Sequence, residues 1–502
     1  MKVVLQKGPK TDLQTLVVFC AKDKKSGKPV SGKLSPEMSK LVASAHADAS
    51  FNGDKKEGVF FRQCNVDGYK NILLMGLGDP AQVDGESLRV AGSLCYSALK
   101  AHKQTSAGVM AESFTKFMKD SALAVQSFSE GVELSAYEFN DLKSKPKKDD
   151  AKKPTLEQIS LLFSAAPSAA QQGALKRAEI LVECQNFARW LGDNPGNYMT
   201  PTIMANETVK AAKGTGLKVT VWDKARIKKE NFGGLLAVAA GSSEDPRFII
   251  MEYNGAGKSK KPVCFVGKGL TFDCGGISIK PSAQMEEMKY DMCGGAAVIG
   301  TMLALARLKA KVNVIGLVPS TENLVGPAAT KPGDVYTARN GTTVEVFNTD
   351  AEGRLILGDA LAYGSEQKPV AMFDAATLTG AILIALGNTH TGVFTRDGKL
   401  RKRIQEASDA TGELVWAMPL VDFHVEDMKG IHADLCNISN GRLAGSSTAA
   451  AFLEQFVDKD IPWAHFDIAG TAWNVASRFP YNPKKGASGV MVRTFVELAE
   501  SY

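Results

Sequence analysis

The sequence lacks the features of several protein classes. Its 502 residues include eight cysteines, and these form no CxxC pair and no dense cluster. A disulfide framework is typical of short secreted chains, so we expect reduced thiols in a cytoplasmic protein. No apolar run approaches the roughly 20 residues of a membrane helix, and the apolar stretch in MKVVLQKGPK is too short for a signal peptide. We therefore expect no contact with a membrane.

An excess of one charge is also missing. The chain has 60 Lys and Arg against 54 Asp and Glu, a net charge of +6. So mild a bias permits an anionic partner such as nucleic acid without implying one. Hydrophobic residues make up 44% and charged residues 23%, which is ordinary for a folded protein and excludes a disordered one.

Three common catalytic or nucleotide-binding patterns are absent. The six histidines show no HExxH spacing, which argues against a thermolysin-like zinc site. No serine lies in a G-x-S-x-G elbow. A Gly-Lys-Ser triplet at 257–259 resembles a phosphate loop, but Glu252 stands where that loop needs its first glycine.

The pattern of strands and helices predicts an α/β protein with two domains, each a mostly parallel or mixed sheet flanked by helices. Residues 1–165 would form the N-terminal domain, with a charged linker near 143–154, and residues 195–502 the catalytic domain. Residues 166–194 have helical apolar spacing and would form a long connecting helix. Predicted strands cover 16–19, 59–61, 71–76, 248–253, 262–267, 312–319, 370–375 and 463–469, and predicted helices lie near 86–102 and 114–128.

Two segments, 266–295 and 348–360, concentrate charged residues among glycines. If 350–354 is extended, Asp350, Glu352 and Arg354 share one face. Together with Asp273 and Asp291, the carboxylates carry a formal charge of −4, which two divalent ions such as Zn²⁺, Mn²⁺ or Mg²⁺ would cancel. Any one of these aspartates could instead be a helix cap or a turn residue, so the inference depends on the combination.

That combination resembles the leucyl (cytosol) aminopeptidase family, the dizinc exopeptidases, in its bacterial form. The family octapeptide Asn-Thr-Asp-Ala-Glu-Gly-Arg-Leu stands intact at 348–355. The pattern GKGxTFDxGGxxxK is present at 267–280, and KxDMxG follows it at 289–294. The resemblance covers about 170–502 and is weaker over the first 150 residues.

The resemblance implies a two-metal aminopeptidase that releases leucine and similar N-terminal residues from peptides. The cofactors would be two divalent ions per subunit, zinc or manganese, with bicarbonate at Arg354, and the assembly would be a homohexamer. Asp273 and Glu352 would bridge the two ions, and Lys280 would stabilise the oxyanion. The implied metal ligands are Lys268, Asp273, Asp291, Asp350 and Glu352, the catalytic residues Lys280 and Arg354, and the substrate-binding residues Met288, Asn348, Ala351, Thr377 and Ala469.

Two other functions stay open on the sequence. Some bacterial members of this family act as DNA-binding accessory proteins in recombination. All the implied ligands are present, which argues against a site that has lost catalysis, and the N-terminal part shows no large basic surface. A metal-dependent hydrolase of another amide, such as a dipeptidase, is the third possibility.

Overall fold

The computed structural model describes residues 1–10, 12–144, 155–257, 259–439, 441 and 443–502. Most of the predicted charged linker, 145–154, therefore lies outside the described residues. Packing divides the chain into two units. The first comprises Met1–Val182 with Phe479–Pro483, and the second comprises Glu183–Arg478 with Lys484–Tyr502. The sequence did not predict that 479–483 returns to the first unit.

Strands and helices are interspersed along both units. The strands are β1 Lys2–Lys7, β2 Thr15–Lys22, β3 Pro29–Val30, β4 Gly58–Phe61, β5 Asn71–Gly78, β6 Ser106–Met110, β7 Gln158–Phe163, β8 Lys218–Trp222, β9 Arg247–Asn254, β10 Val263–Gly267, β11 Gly269–Asp273, β12 Asn313–Asn323, β13 Val335–Thr337, β14 Thr343–Glu345, β15 Ala371–Ala376, β16 Thr391–Phe394, β17 Val415–Met418, β18 Leu435–Cys436 and β19 Trp463–Asp467. The helices are α1 Pro36–Ala47, α2 Gly85–Ala101, α3 Glu112–Thr115, α4 Ser121–Ser135, α5 Ala169–Asp193, α6 Pro201–Ala212, α7 Lys224–Lys229, α8 Gly233–Ala239, α9 Cys293–Leu308, α10 Gly353–Glu366, α11 Gly380–Leu386, α12 Gly398–Thr411, α13 Asp422–Glu426, α14 Gly445–Glu454 and α15 Val492–Glu500. Short 3-10 helices cover Pro80–Gln82 and Met285–Met292.

The first unit is built on a mixed sheet with the strand order β1-β7-β6-β2-β5-β4, and β3 pairs with β2. The neighbouring strands β1, β7, β6, β2 and β5 pair in parallel. Strand β3 pairs antiparallel with β2, and β4 pairs antiparallel with β5. Alternate residues of β2 point to opposite faces, so Val18 packs with Met38 of α1 and Phe19 packs with Phe128 of α4. Both faces of the central strands are therefore covered, as their continuous apolar runs predicted.

The second unit has a mixed sheet with the order β17-β16-β19-β15-β10-β12-β9-β8, and β11 pairs with β12. Strands β10, β12, β15 and β19 are parallel to one another, and β8, β9 and β16 pair antiparallel. Every residue of β10 and β15 is buried. The predicted α/β class with two mixed sheets is confirmed, and so are the predicted strands of this unit.

One predicted helix is wrong in its limits. The apolar spacing predicted a helix near 114–128, but the chain forms the short α3 and then α4 from Ser121. The reason is the N-cap of α4: the Asp120 carboxylate accepts hydrogen bonds from the backbone N–H groups of Ala122 and Leu123. The long helix predicted over 166–194 is present as α5, Ala169–Asp193, and the residue boundary between the two units falls within it.

Helix α9 lies close to the sheet because its first residues are small. A Cβ atom on Gly294 would stand 2.0 Å from the carbonyl oxygen of Ala375 in β15, so only glycine fits there. The helical stretch Met285–Leu308 meets the length and composition of a membrane span, and by that test alone. Most of its apolar part is buried inside the fold, as in the core helix of a globular unit.

Candidate active site

The polar residues predicted from the two segments meet at one edge of the second sheet. Lys268 directly follows β10, Asp273 ends β11, and Thr377 directly follows β15. Asn323 ends β12, and Asp467 ends β19. Because these strands are parallel, their carboxyl ends lie together, and this edge is where open α/β sheets bind ligands.

The segment 350–354 is not extended, so the condition under which Asp350, Glu352 and Arg354 would share one face of a strand is not met. The Asn348 side-chain oxygen accepts a hydrogen bond from the Asp350 N–H at 2.8 Å, which bends the chain into a turn. Glu352 has helical angles, φ −83° and ψ −32°, and α10 begins at Gly353. Arg354 therefore lies in the first turn of a helix.

Three carboxylates nevertheless converge. Ligand oxygens of Asp273, Asp350 and Glu352 all lie within 4.8 Å of one another. Asp291, on the 3-10 helix before α9, joins this group through Lys268. The Lys268 Nζ lies 2.7 Å from Asp291 Oδ2 and 2.9 Å from Glu352 Oε1. The structure thus brings together all five predicted metal ligands.

Lys280 lies on the more open side of this cluster. Its Nζ is 2.7 Å from Asp273 Oδ2 and 2.5 Å from Asp350 Oδ1. The Lys280 side chain is 21% exposed, whereas that of Lys268 is 3% exposed. Lys280 is therefore the predicted catalytic residue that an entering molecule can reach.

Negative charge exceeds positive charge in this buried cluster. Four carboxylates face two ammonium groups, so the formal sum is −2. Burial, together with the nearby Glu352 and Asp291, raises the pKa of Asp273 to about 8. Burial also raises the pKa of Asp291 to about 6, although Lys268 opposes it. Burial and the neighbouring carboxylates together make both groups release their protons at a higher pH than exposed carboxyl groups do.

The pKa values of the two lysines are also raised, which for an amine favours the charged form. Burial alone would lower the pKa of Lys268, but Asp291, Glu352 and Asp273 outweigh it and raise that pKa above its ordinary value. The same balance raises the pKa of Lys280. The pKa of Glu352 is lowered, because both lysines together outweigh its burial.

The donor set fits hard or borderline divalent cations. Converging carboxylate oxygens are the ligands that Mg²⁺ and Mn²⁺ prefer, and they also bind Zn²⁺. The oxygens Asp291 Oδ2 and Asp350 Oδ1 are each paired with one lysine ammonium group, at 2.7 Å and 2.5 Å. The excess negative charge of the cluster is what a bound cation would balance.

Arg354 is held away from solvent. Its Nη1 donates a hydrogen bond to the Asn437 carbonyl oxygen at 2.8 Å. Burial lowers the pKa of Arg354 to about 10, and Glu352 and Asp467 oppose that change. The guanidinium therefore stays protonated at neutral pH. Within the described residues, the buried Arg354 Nε has no hydrogen-bond partner.

The predicted substrate-binding residues differ in how directly they contact the carboxylate cluster. Thr377 Oγ1 donates to Asp291 Oδ1 at 2.6 Å, which puts it in the cluster. Asn348 and Ala351 belong to the same loop as Asp350. The Ala469 N–H donates to Asp467 Oδ1, which also accepts from Leu378, the residue after Thr377. Met288 is half-buried on the 3-10 helix, and no described contact ties it to the others.

Sequence reasoning missed several residues that hold the cluster in place. Asn323 Nδ2 donates to Asp273 Oδ1 at 2.8 Å and to the Thr349 carbonyl at 3.0 Å, so it joins the two polar segments. Thr349 Oγ1 donates to Gly275 O and accepts from the Ser278 N–H. Asn323 lies four residues beyond the predicted strand 312–319, so the predicted pattern gave no signal for it, although it ends the observed strand β12.

Comparison with known proteins decides the family. The profile described as "Cytosol aminopeptidase family, catalytic domain" matches residues 186–496, and that of the family's N-terminal domain matches 17–146. The chain belongs to the cytosol aminopeptidase family. It is a metal-dependent aminopeptidase, a hydrolase that removes residues from the N-terminus. The family resemblance inferred from the sequence is thereby confirmed.

Individual relatives agree with this assignment across nearly the whole chain. A probable cytosol aminopeptidase of Bdellovibrio bacteriovorus is 57% identical over 468 residues, 93% of this chain and 92% of the relative. One from Geobacter sulfurreducens is 40% identical over 482 residues, 96% of this chain and 95% of that relative.

Solved structures of family relatives share the fold. A tomato leucine aminopeptidase mutant has a TM-score of 0.85 at 31% identity, with coverage of 100% of this chain and 97% of that one. The bottromycin maturation enzyme BotP, in complex with Mn, has a TM-score of 0.84 at 28% identity. That match covers 97% of this chain and 99% of BotP.

Proposed function

We propose that this aminopeptidase releases leucine and similar residues from the N-termini of peptides, with two divalent ions per subunit, zinc or manganese. The observation that carries the proposal is the convergence of carboxylate oxygens from Asp273, Asp350 and Glu352 within 4.8 Å. The residues that would hold the ions are Lys268, Asp273, Asp291, Asp350 and Glu352, with Asp273 and Glu352 shared between the two. Bound ions would acidify water and polarise the scissile carbonyl group.

Lys268 must lose a proton to act as a ligand, because an ammonium group has no lone pair. It now forms ion pairs with Asp291 and Glu352, which favour its charged form. A dication held by the same carboxylates would remove that preference and favour the neutral amine.

Lys280 would act on the substrate. Its ammonium group is the accessible positive charge beside Asp273 and Asp350, so it can stabilise negative charge that develops on the carbonyl oxygen under attack. One of the bound ions would also bind the free α-amine at the end of the substrate. An internal peptide bond lacks that amine, which accounts for exopeptidase specificity.

Arg354 would hold bicarbonate rather than act as a base. It stays protonated at neutral pH, and its unpartnered, buried Nε is a donor available to an anion. Bicarbonate held there could accept a proton from the attacking water. Omitting bicarbonate from degassed buffer should lower kcat, and an unchanged kcat would argue against this role.

The proposal extends to side-chain recognition, assembly and location. Met288, Asn348, Ala351, Thr377 and Ala469 would line the site for the N-terminal residue. Family membership supports a homohexamer and a cytoplasmic location. Sedimentation velocity on the purified protein tests the assembly, and a monomer at micromolar concentration would contradict it.

Chelation and substrate blocking test the activity together. Treatment with EDTA should abolish cleavage of leucine p-nitroanilide, and Zn²⁺ or Mn²⁺ should restore it. A leucyl peptide should be cleaved only when its α-amine is free, so the N-acetylated form is the matched control. Equal rates on both peptides would refute recognition of the amine, and full activity after chelation would refute the metal.

A further inference from the structure

Asn437 connects a distant part of the chain to the loop that carries the predicted ligands. It directly follows β18, which pairs in parallel with β14, with Cys436 opposite Glu345. The Asn437 N–H extends this pairing by donating to the Glu345 carbonyl at 3.0 Å. Asn437 is fully buried, so its amide must find partners inside the protein.

The partners of its side chain all belong to one loop. Oδ1 accepts hydrogen bonds from the N–H groups of Phe347 at 2.8 Å and Asn348 at 3.2 Å. Nδ2 donates to the carbonyl oxygens of Asn348 at 2.6 Å and Ala351 at 3.3 Å. The Asn437 carbonyl accepts from Arg354 Nη1 at 2.8 Å. One residue thus holds both sides of the turn that contains Asp350 and leads to Glu352.

We propose that Asn437 is a positioning residue that sets the geometry of the metal site by holding the 347–354 loop in its bent form. This inference rests on the proposed two-metal function. The loop has no strand or helix of its own between β14 and α10 that could fix Asp350. An amide suits this task because it offers an acceptor to the N–H groups on one side and donors to the carbonyl groups on the other. No other side chain of that size carries an acceptor and a group with two donor hydrogens on separate atoms.

The chain contains a matched control. Asn313 is also buried and also holds a loop: its Oδ1 accepts from the Ala256 N–H, and its Nδ2 donates to the carbonyl groups of Gly257 and Lys260. It begins β12, whereas Asn323 at the other end of that strand lies in the site. Ten steps of a strand separate them by about 33 Å. Asn313→Ala therefore breaks an equivalent set of hydrogen bonds far from the site.

The test compares Asn437→Ala with Asn313→Ala in the full chain, stripped with EDTA and titrated with Mn²⁺. Free Mn²⁺ is followed by electron paramagnetic resonance, and kcat and KM for leucine p-nitroanilide are measured at saturating Mn²⁺. We expect Asn437→Ala to weaken Mn²⁺ binding about 10–100-fold and to lower kcat more than it changes KM. We expect Asn313→Ala to lower the melting temperature while Mn²⁺ affinity and kcat stay within about twofold of the unsubstituted protein.

Two outcomes would overturn the proposal. One is Mn²⁺ affinity and kcat in Asn437→Ala that match those of Asn313→Ala, with only the melting temperature lowered. The other concerns Asn437→Ser, which replaces Asn437→Ala in the test if the alanine variant does not fold. The short serine hydroxyl cannot span the turn, so Mn²⁺ binding by this variant as tight as that of the unsubstituted protein would contradict the proposal. If the unsubstituted protein neither binds Mn²⁺ nor cleaves the anilide, the proposed function fails instead.

Discussion

The amine of Lys268 lies 2.9 Å from Oε1 of Glu352, and each of these side chains is only 3% exposed. A buried pair of this kind has a large cost of desolvation, which its mutual attraction offsets only while both partners are present. In this protein the pair lies at the centre of a carboxylate cluster. Lys268 is therefore a counterion of the metal-free site and a predicted ligand of the metal-bound one.

Lys268→Met should destabilise the metal-free protein strongly. The substitution leaves Glu352 and Asp291 buried without this ammonium, and removing one partner of a buried pair costs about 3–5 kcal/mol. Urea unfolding in EDTA measures the change. Lys210→Met, which removes a lysine with a 72% exposed side chain from a surface pair, should change the free energy of unfolding by less than about 0.5 kcal/mol. Equal stability of the two variants would show that Lys268 does not balance the cluster.

Glu352→Gln should inactivate the enzyme without unfolding it. The amide keeps the shape of the side chain but removes a negative charge from the site. Removing a residue that hydrogen-bonds to a metal ligand costs about 10–100-fold in activity. We expect removal of a ligand itself to cost at least as much. The readouts are kcat/KM and near-ultraviolet circular dichroism. Glu366→Gln, at the half-exposed end of the same helix, is the control, and comparable activity in both variants would reject the role of Glu352.

Lys280→Met should lower kcat and kcat/KM together. A group that stabilises charge only in the transition state has this signature, and removing one such donor costs about 10²–10³ in kcat. Steady-state kinetics on leucine p-nitroanilide provides the measurement. Lys331→Met, which removes a 70% exposed side chain, controls for loss of a positive charge. A rise in KM alone would indicate that Lys280 binds substrate without acting on the transition state.

Asp359 should make the stability depend on pH. It lies in α10, fully buried, and accepts hydrogen bonds from the N–H groups of Leu235 and Arg339. Burial raises its pKa from 3.8 to about 7. Because the folded protein holds this proton more tightly than the unfolded chain, Asp359 contributes less to stability as pH rises from about 4 to about 7.

The measurement compares the protein with Asp359→Asn, which cannot ionise. The free energy of unfolding relative to that variant should fall between pH 5 and pH 7 and stay constant above pH 8. Guanidinium unfolding at each pH, in EDTA, provides the values. A difference that does not change with pH would contradict the raised pKa.

Much of the fold follows from local sequence pattern. The runs at 262–267 and 370–375 are apolar at every position, which is typical of strands covered on both faces, and both are buried strands of the second sheet. The first and last residues of helices were predicted less accurately than the strands, because they depend on single capping contacts such as that of Asp120. The conformation of 350–354 depends on a single contact in the same way: the hydrogen bond from the Asp350 N–H to the Asn348 side chain turns the chain.

The residue types at the site could be identified from the sequence alone, since the predicted ligands stand in two segments, 266–295 and 348–360, whose motifs resemble those of the family in order and spacing. Only the tertiary structure decided how those motifs meet. Lys268, Asp291 and Thr377 come together through the pairing of β10 with β15, and the bent loop is held by Asn437, 83 residues beyond Arg354. Contacts between residues so far apart cannot be read from the spacing of residues in a single sequence. The local pattern of a strand end fits any polar residue equally well, so it does not show which residues meet.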